Sequence, residues 1–190
     1  MSDELRLERV YDAPPEIVFD AFTDPVVQKE LYADAPDWIV TSACDLRVGG
    51  RWTIEFGPPG GRAALETCVF RVVERPRRLV YVSTMRMPDG TTFDTDMEVL
   101  FDEEPGGRTR LTIVQRGFPT RGLRDELAGG WPSILDGLGR VVASRAGGVR
   151  GGRAARPGGS GRHDAVVPRR RHGGPGPAAR FRAIGGTWSG

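Results

Sequence analysis

The sequence predicts an α+β domain in which a sheet of about six to seven antiparallel strands is followed by a closing helix. Three observations predict it. Residues 4–11 alternate polar and apolar, the period of a half-buried strand. From Trp38 to Gln115 alternating segments follow one another across short Gly/Pro turns. Residues 120–144 then revert to helical spacing.

The first strand gives way at Asp12-Ala13-Pro14-Pro15-Glu16. Proline in a first helical turn loses no needed N–H, and an acid there complements the positive helix end. Ile17, Val18, Ala21 and Phe22 form an apolar stripe at helical spacing, and Pro25 either stops that helix or starts a second short one through Tyr32. Asp34-Ala35-Pro36-Asp37 reads as a loop.

In the strand region, Val40, Ser42, Cys44, Leu46 and Val48 share one parity and end at Gly49-Gly50. Trp52, Ile54 and Phe56 follow, ending in Gly57-Pro58-Pro59-Gly60-Gly61. Cys68, Phe70 and Val72 lead to a turn around Pro76, and Leu79, Tyr81, Ser83 and Met85 to the turn Pro88-Asp89-Gly90. Phe93, Thr95, Met97, Val99 and Phe101 alternate with Thr92, Asp94, Asp96 and Glu98, the clearest one-sided strand, and Leu111, Ile113 and Gln115 complete the series. Strands joined by short turns imply a meander with one wet face. In the last segment Leu123, Leu127, Trp131, Ile134 or Leu135, Leu138, and Val141 or Val142 lie on one stripe. Pro132 interrupts it, so a kink there or a fresh helix near Trp131 is expected.

Charge divides the chain. Residues 1–144 hold 17 Lys+Arg against 24 Asp+Glu, whereas residues 145–190 hold 10 Arg against Asp164 alone. The organisation expected is a domain over 1–145 and a disordered Arg/Gly/Pro-rich tail over 146–190, because the tail cannot bury enough to offset chain entropy. Arg/Gly segments bind nucleic-acid phosphates, so any nucleic-acid binding is expected through the tail alone. Aromatic interleaving is confined to Phe181 and Trp188, and the composition matches GC-rich codons read in another frame; a frame-shifted or read-through tail is the favoured reading. Cys44 and Cys68 match no zinc spacing and read as buried thiols of a reducing, cytoplasmic compartment. No secretory signal is visible, and no apolar run reaches about 18 residues, so no membrane partner is expected.

The order of elements resembles the START-like, or helix-grip, superfamily, and more specifically its bacterial branch of activators of heat-shock-protein-ninety ATPase homologues. Val10 through Pro25, Asp45 through Trp52, the strand entry at Pro76–Leu79, and Gly130-Trp131 followed by Leu135 and Leu138 carry the resemblance over about residues 4–143. It departs where many relatives have a Trp-Trp-Gly-Pro stretch, here Tyr32 to Trp38, and where many have a histidine, here Leu127, Ala128 and Gly129. The resemblance implies a curved sheet wrapped around the last helix, with a cavity between them, and no agreed reaction.

Residues 1–144 contain no histidine, since His163 and His172 both lie in the tail. That removes the usual general base and metal ligand, and no phosphate-binding glycine motif is present. No cofactor or metal is expected, and an enzyme is disfavoured. The residues expected to line the cavity are Trp38, Trp52, Ile54, Phe56, Phe70, Tyr81, Met85, Phe93, Thr95, Met97, Gln115, Trp131 and Leu135; bulky rings beside flexible Met suit an adaptable pocket, and a filled core is the alternative. Ser42, Thr95 and Gln115 share the inward parity, and either bond within the sheet or meet a ligand. Asp94, Asp96 and Glu98 fall on the outer, solvated face. The function expected is binding of a small apolar or amphipathic ligand. The alternatives are a regulator docking on a chaperone ATPase, and a cyclase- or aromatase-like enzyme.

Overall fold

The computed structural model describes residues 4–33 and 36–151. Its elements run β1 (Leu5–Tyr11), α1 (Pro15–Thr23), α2 (Pro25–Tyr32), β2 (Ile39–Cys44), β3 (Arg51–Gly57), β4 (Ala64–Glu74), β5 (Arg78–Arg86), β6 (Thr92–Glu104), β7 (Arg108–Arg116) and α3 (Arg121–Gly151). The seven strands form one antiparallel sheet in the order β1-β7-β6-β5-β4-β3-β2. Five of the six neighbouring pairs, from β2–β3 to β6–β7, form a plain meander. Strand β1 joins at the far edge, with Leu5 opposite Gln115 and Tyr11 opposite Thr109. The expected α+β helix-grip architecture, with its two short helices after the first strand, is therefore present.

Local chemistry sets the helix starts. Pro14 precedes α1 in extended conformation, and its carbonyl accepts from Ile17 N–H at 3.0 Å and Val18 N–H at 3.3 Å. Asp24 caps α2 by accepting from Val26 N–H at 2.9 Å, and Pro25 occupies the first helical position. Pro25 thus both ends one helix and begins the next. At the β5–β6 hairpin Gly90 takes φ +93°, and Met87 N–H bonds Thr91 carbonyl at 2.7 Å. Gly50 allows a close approach: a Cβ there would stand 2.1 Å from the Asp45 carbonyl oxygen.

Three sequence expectations need correction. Strand β2 stops at Cys44, because Asp45 N–H bonds Arg51 carbonyl and Gly50 N–H bonds Arg47 carbonyl, both at 2.8 Å, which closes a turn. Leu46 and Val48 consequently leave the strand, and Val48 is exposed. In β4 a bulge at Arg71 shifts the register between Phe70, opposite Tyr81, and Val72, opposite Val80. The inward face passes from Phe70 to Val73, which packs on the core in place of Val72. Finally, α3 runs unbroken through Pro132, so no fresh helix begins near Trp131. The apolar side chains on either side of it, from Leu127 to Leu138, pack against the rest of the fold and hold the helix in place.

The core lies between the concave side of the sheet and the helices. Phe19 of α1 meets Phe101 of β6 at 5.0 Å between ring centroids, and Phe22 meets Trp52 at 6.0 Å. Trp52 stacks on Phe70 at 6.2 Å, and Phe70 meets Tyr81 edge-on at 5.7 Å. Each fully buried aromatic of this chain of rings contributes about 1.5–3 kcal/mol. Helix α3 is tied at three heights. Tyr11 hydroxyl donates to Leu135 carbonyl at 2.9 Å, Arg9 pairs with Asp136, and Arg145 pairs with Asp24 at 2.5 Å. The last pair, with buried Ala146, carries the helix past the expected end near residue 144 to Gly151. The tail expected over 146–190 lies, from residue 152 on, outside the described residues.

Asp94, Asp96 and Glu98 lie on the outer face as expected, bonded to Thr84, Arg71 and Arg78 respectively. Among the described residues no helix is long and apolar enough to cross a membrane.

Candidate functional site

Alternation puts a set of polar side chains on the concave face. Glu66 shares the parity of Cys68 and Phe70 on β4; Ser83 stands opposite Cys68, and Thr95 stands opposite Ser83. Gln115 of β7 faces Met97 and is thereby the diagonal neighbour of Thr95. The four side chains form a polar ridge crossing β4, β5, β6 and β7 obliquely.

Hydrogen bonds organise the ridge into two groups. Ser83 hydroxyl donates to Glu66 Oε1 at 2.6 Å, and Tyr32 hydroxyl, at the end of α2, donates to Glu66 Oε2 at 2.8 Å. The Cys68 thiol stands 3.8 Å from Glu66 Oε1. On the other side Gln115 Nε2 donates to Thr95 hydroxyl at 3.0 Å, and Trp131 Nε1 of α3 approaches Gln115 Oε1 at 3.4 Å. Ser83, Thr95 and Gln115 are all buried.

Over this ridge the first half of α3 stands off the sheet and leaves a cavity. Its floor is Glu66, Ser83, Met85, Phe93, Thr95 and Gln115. Its roof is Leu127, Gly130, Trp131 and Ile134, and Tyr32 closes one end. About 40 Å³ is open to the centre of a water molecule, room for two or three waters, and about 460 Å³ is unfilled when the mouth is included. A second, narrower space shares Tyr32, Glu66, Trp131 and Ile134 with it and is otherwise lined by Phe22, Gln28, Trp52, Ile54, Cys68 and Tyr81. A wider groove of about 390 Å³ opens between β1 and α3 around Tyr11, Gly139 and Ala146, but polar side chains do not converge on it.

Of the residues expected to line the cavity, Met85, Phe93, Thr95, Gln115 and Trp131 line its main body. Trp52, Ile54 and Tyr81 line the second, narrower space. Phe56, Phe70, Met97 and Leu135 are buried in the core without lining either space, and Trp38 is half-buried, stacked on Phe56 at 6.3 Å. Ser42 points to β3, where it accepts from Trp52 Nε1 at 3.2 Å. The residues that sequence reasoning missed are Glu66, Ser83 as a bonded partner, and Tyr32. Parity was the available signal for Glu66, two positions before Cys68.

Burial dominates the ionisation of the groups here. It pushes the Tyr32 hydroxyl well above the ordinary tyrosine value, and the Glu66 charge adds to the effect. The Cys68 thiol is likewise pushed well up, by burial first and Glu66 second, and half-buried Cys44 is pushed to about 11. Both cysteines are free, and both thiols are held protonated, so neither is an activated nucleophile. Among the described residues no group of three or more His, Cys, Asp or Glu could hold a metal ion. What the arrangement offers is an apolar, partly aromatic space with hydrogen-bonding groups along one wall.

The sequence model of the family described as "Activator of Hsp90 ATPase homolog 1-like protein" matches residues 12–143. No match was found among the curated proteins. Among solved structures, an AHSA1-like protein from Aeromonas hydrophila is 29% identical, with 75% of this chain and 93% of that chain covered and a TM-score of 0.59. A protein from Chromobacterium violaceum is 26% identical, with 73% and 96% covered and a TM-score of 0.58. A protein from Arthrobacter aurescens shares the fold at 20% identity, with 75% and 87% covered and a TM-score of 0.62.

Proposed function

On the premise that this chain belongs to the Activator of Hsp90 ATPase homolog 1-like family, we propose that it binds a small amphipathic molecule between its sheet and α3. The observation that carries this reading is the polar ridge. Buried polar side chains are costly unless bonded, and a core needing only to be filled would use apolar residues at those positions. Here Glu66, Ser83, Thr95 and Gln115 cross four strands beneath an incompletely filled space. Apolar walls with a few convergent polar groups are the usual make-up of a ligand site. The small volume limits the buried part of the ligand to a few heavy atoms, with any remainder extending through the mouth.

The test is an NMR titration of the full chain with n-butanol, following the Trp131 indole N–H, a signal present in both the unaltered protein and the variant. The expected result is a saturable shift that Ile134→Phe, which enlarges a side chain lining both spaces, abolishes without unfolding the protein. An unsaturable shift, or one indifferent to Ile134→Phe, would remove the reading.

The family description favours a second reading, docking on a chaperone to alter its ATPase rate. Addition of the full chain to a purified chaperone ATPase tests it, and an unchanged rate would count against it. A reaction of the cyclase or aromatase kind would rest on Glu66 as the acid–base group, since no histidine occurs in residues 1–144. We place the domain in the cytoplasm, a reading that the two free thiols support. The domain is taken to end with α3, and the Arg-rich stretch after it as a separate appendage.

A further inference from the structure

We propose that the head group recognised in this cavity is a cation, a protonated amine carried on an apolar body, with Glu66 as its counter-ion. This rests on the cavity reading above and names the class of ligand. Glu66 sits on the inward face of β4, sharing the parity of the buried Cys68 and Phe70. Its oxygens accept from Tyr32, Ser83 and Cys68, all uncharged donors. Among the described residues no Lys or Arg lies within salt-bridge distance of it, whereas Arg71, Arg75, Arg78, Arg110 and Arg116 are all paired on the outer surface. A carboxylate that is bonded but not neutralised favours an incoming positive charge.

A second observation is independent of the first. The rings of Tyr32, Phe93 and Trp131 line the same space, together with the polarisable thioether of Met85. Aromatic faces attract ammonium groups, and a carboxylate set among rings is a recurrent way to hold one. A carboxylate ligand would instead meet Glu66 as a like charge. A carboxylate has about four acceptor positions and three are engaged here, so one remains for an N–H of the ligand. The acidic balance of residues 1–144, with 24 Asp+Glu against 17 Lys+Arg, also favours approach of a cation.

The experiment compares three probes of one size on the full chain: n-butylammonium, n-butanol and butyrate, read by the same Trp131 signal. The expected order is ammonium tightest, about tenfold or more over the alcohol, and butyrate weakest. In Glu66→Gln the ammonium advantage over the alcohol should fall to within about twofold, with folding of the variant checked by circular dichroism. Equal binding of ammonium and alcohol to the unaltered protein would overturn the charge assignment and leave the cavity reading standing. So would an ammonium advantage that survives Glu66→Gln, or butyrate binding as well as the alcohol. Failure of all three probes would overturn both readings. The order among the three probes needs no variant, so the proposal stays open to refutation even if Glu66→Gln does not fold.

Discussion

Tyr32 hydroxyl donates a 2.8 Å hydrogen bond to Glu66 Oε2, fastening the last residue of α2 to the inner face of β4. The ring is partly exposed while its hydroxyl lies in the interior, and burial, followed by the Glu66 charge, holds the phenol in its neutral form. Tyr11 and Tyr81 are raised as well, both chiefly by burial.

These are the protein's three tyrosines, so the whole phenolic titration should be displaced. The sign follows from linkage: a raised folded-state value means that stability is fully present below the ordinary value of 10.0 and is lost as pH rises beyond it, because the unfolded chain ionises first. Phenolate absorbance should stay flat through pH 10 and then rise in one cooperative step together with loss of circular dichroism. Gradual ionisation around pH 10 in a still-folded protein would contradict the burial of these hydroxyls.

The legible parts of the fold are those where one face is wet. In β6 the outward positions other than Leu100 are polar or charged, and the alternation from Phe93 to Phe101 fixes the strand and its orientation at once. The bulge at Arg71 leaves no comparable trace, since Arg and Val occupy bulges and regular strands alike, and so the inward residue changes from Val72 to Val73 unannounced. Inward parity and bulk point to Trp52, Met85, Phe93 and Trp131, and inward parity to Thr95 and Gln115, but the same signals draw in Phe70 and Met97, whose bulk fills the core. Glu66 escaped because a charge weighs towards the surface, and only its parity with Cys68 and Phe70 argues otherwise. No rule of spacing shows that α3 would stand off the ridge instead of collapsing on it.

Glycines in α3 differ in what surrounds them, and their alanine variants should differ accordingly. At Gly129 a Cβ meets nothing within 4 Å, so Gly129→Ala should gain the helix propensity of alanine, about 0.5–1 kcal/mol. At Gly137 a Cβ would lie 2.5 Å from Cδ2 of Leu31, a buried residue of α2. Gly137→Ala must displace that side chain, so it should be about 1–2 kcal/mol less stable than Gly129→Ala. Urea unfolding of both variants measures the difference. Equal stabilities would mean that α2 and α3 are not in close contact at Leu31.

Asp24 serves two elements at once, capping α2 through Val26 N–H at 2.9 Å and pairing with Arg145 of α3 at 2.5 Å. Partial burial pushes its carboxyl up, but the Arg145 guanidinium and the Val26 N–H outweigh that and hold it below the ordinary 3.8. A lowered value contributes stability above the unfolded carboxylate range, and that contribution is lost as pH falls through the folded value. Asp24→Ala should therefore cost about 0.5–2 kcal/mol at pH 7, the usual range for loss of a cap, and the gap from the unaltered protein should narrow as pH falls below the ordinary aspartate value of 3.8. Asp24→Asn keeps a capping oxygen and should recover part of the loss, the remainder reporting the tie to α3. A loss that is the same at all pH values would show that the carboxylate charge is not what holds the two helices.

Glu126 poses the opposite case on α3. One of its carboxyl oxygens is buried and has no hydrogen-bond partner among the described residues, and burial raises its pKa above the ordinary 4.5. A raised acid favours the folded state while protonated, and that advantage disappears as pH rises through the folded value, leaving a cost at neutral pH. Glu126→Gln removes the charge while keeping the shape. It should stabilise the protein at pH 7 by no more than about 1 kcal/mol, since the side chain as a whole is only partly buried and its charge is screened. At pH 4 the benefit should shrink, because the unaltered side chain is then largely protonated. Urea midpoints of the two proteins at both pH values decide it. A benefit as large at pH 4 as at pH 7 would assign the gain to the amide's own hydrogen bonds and not to removal of a poorly solvated charge.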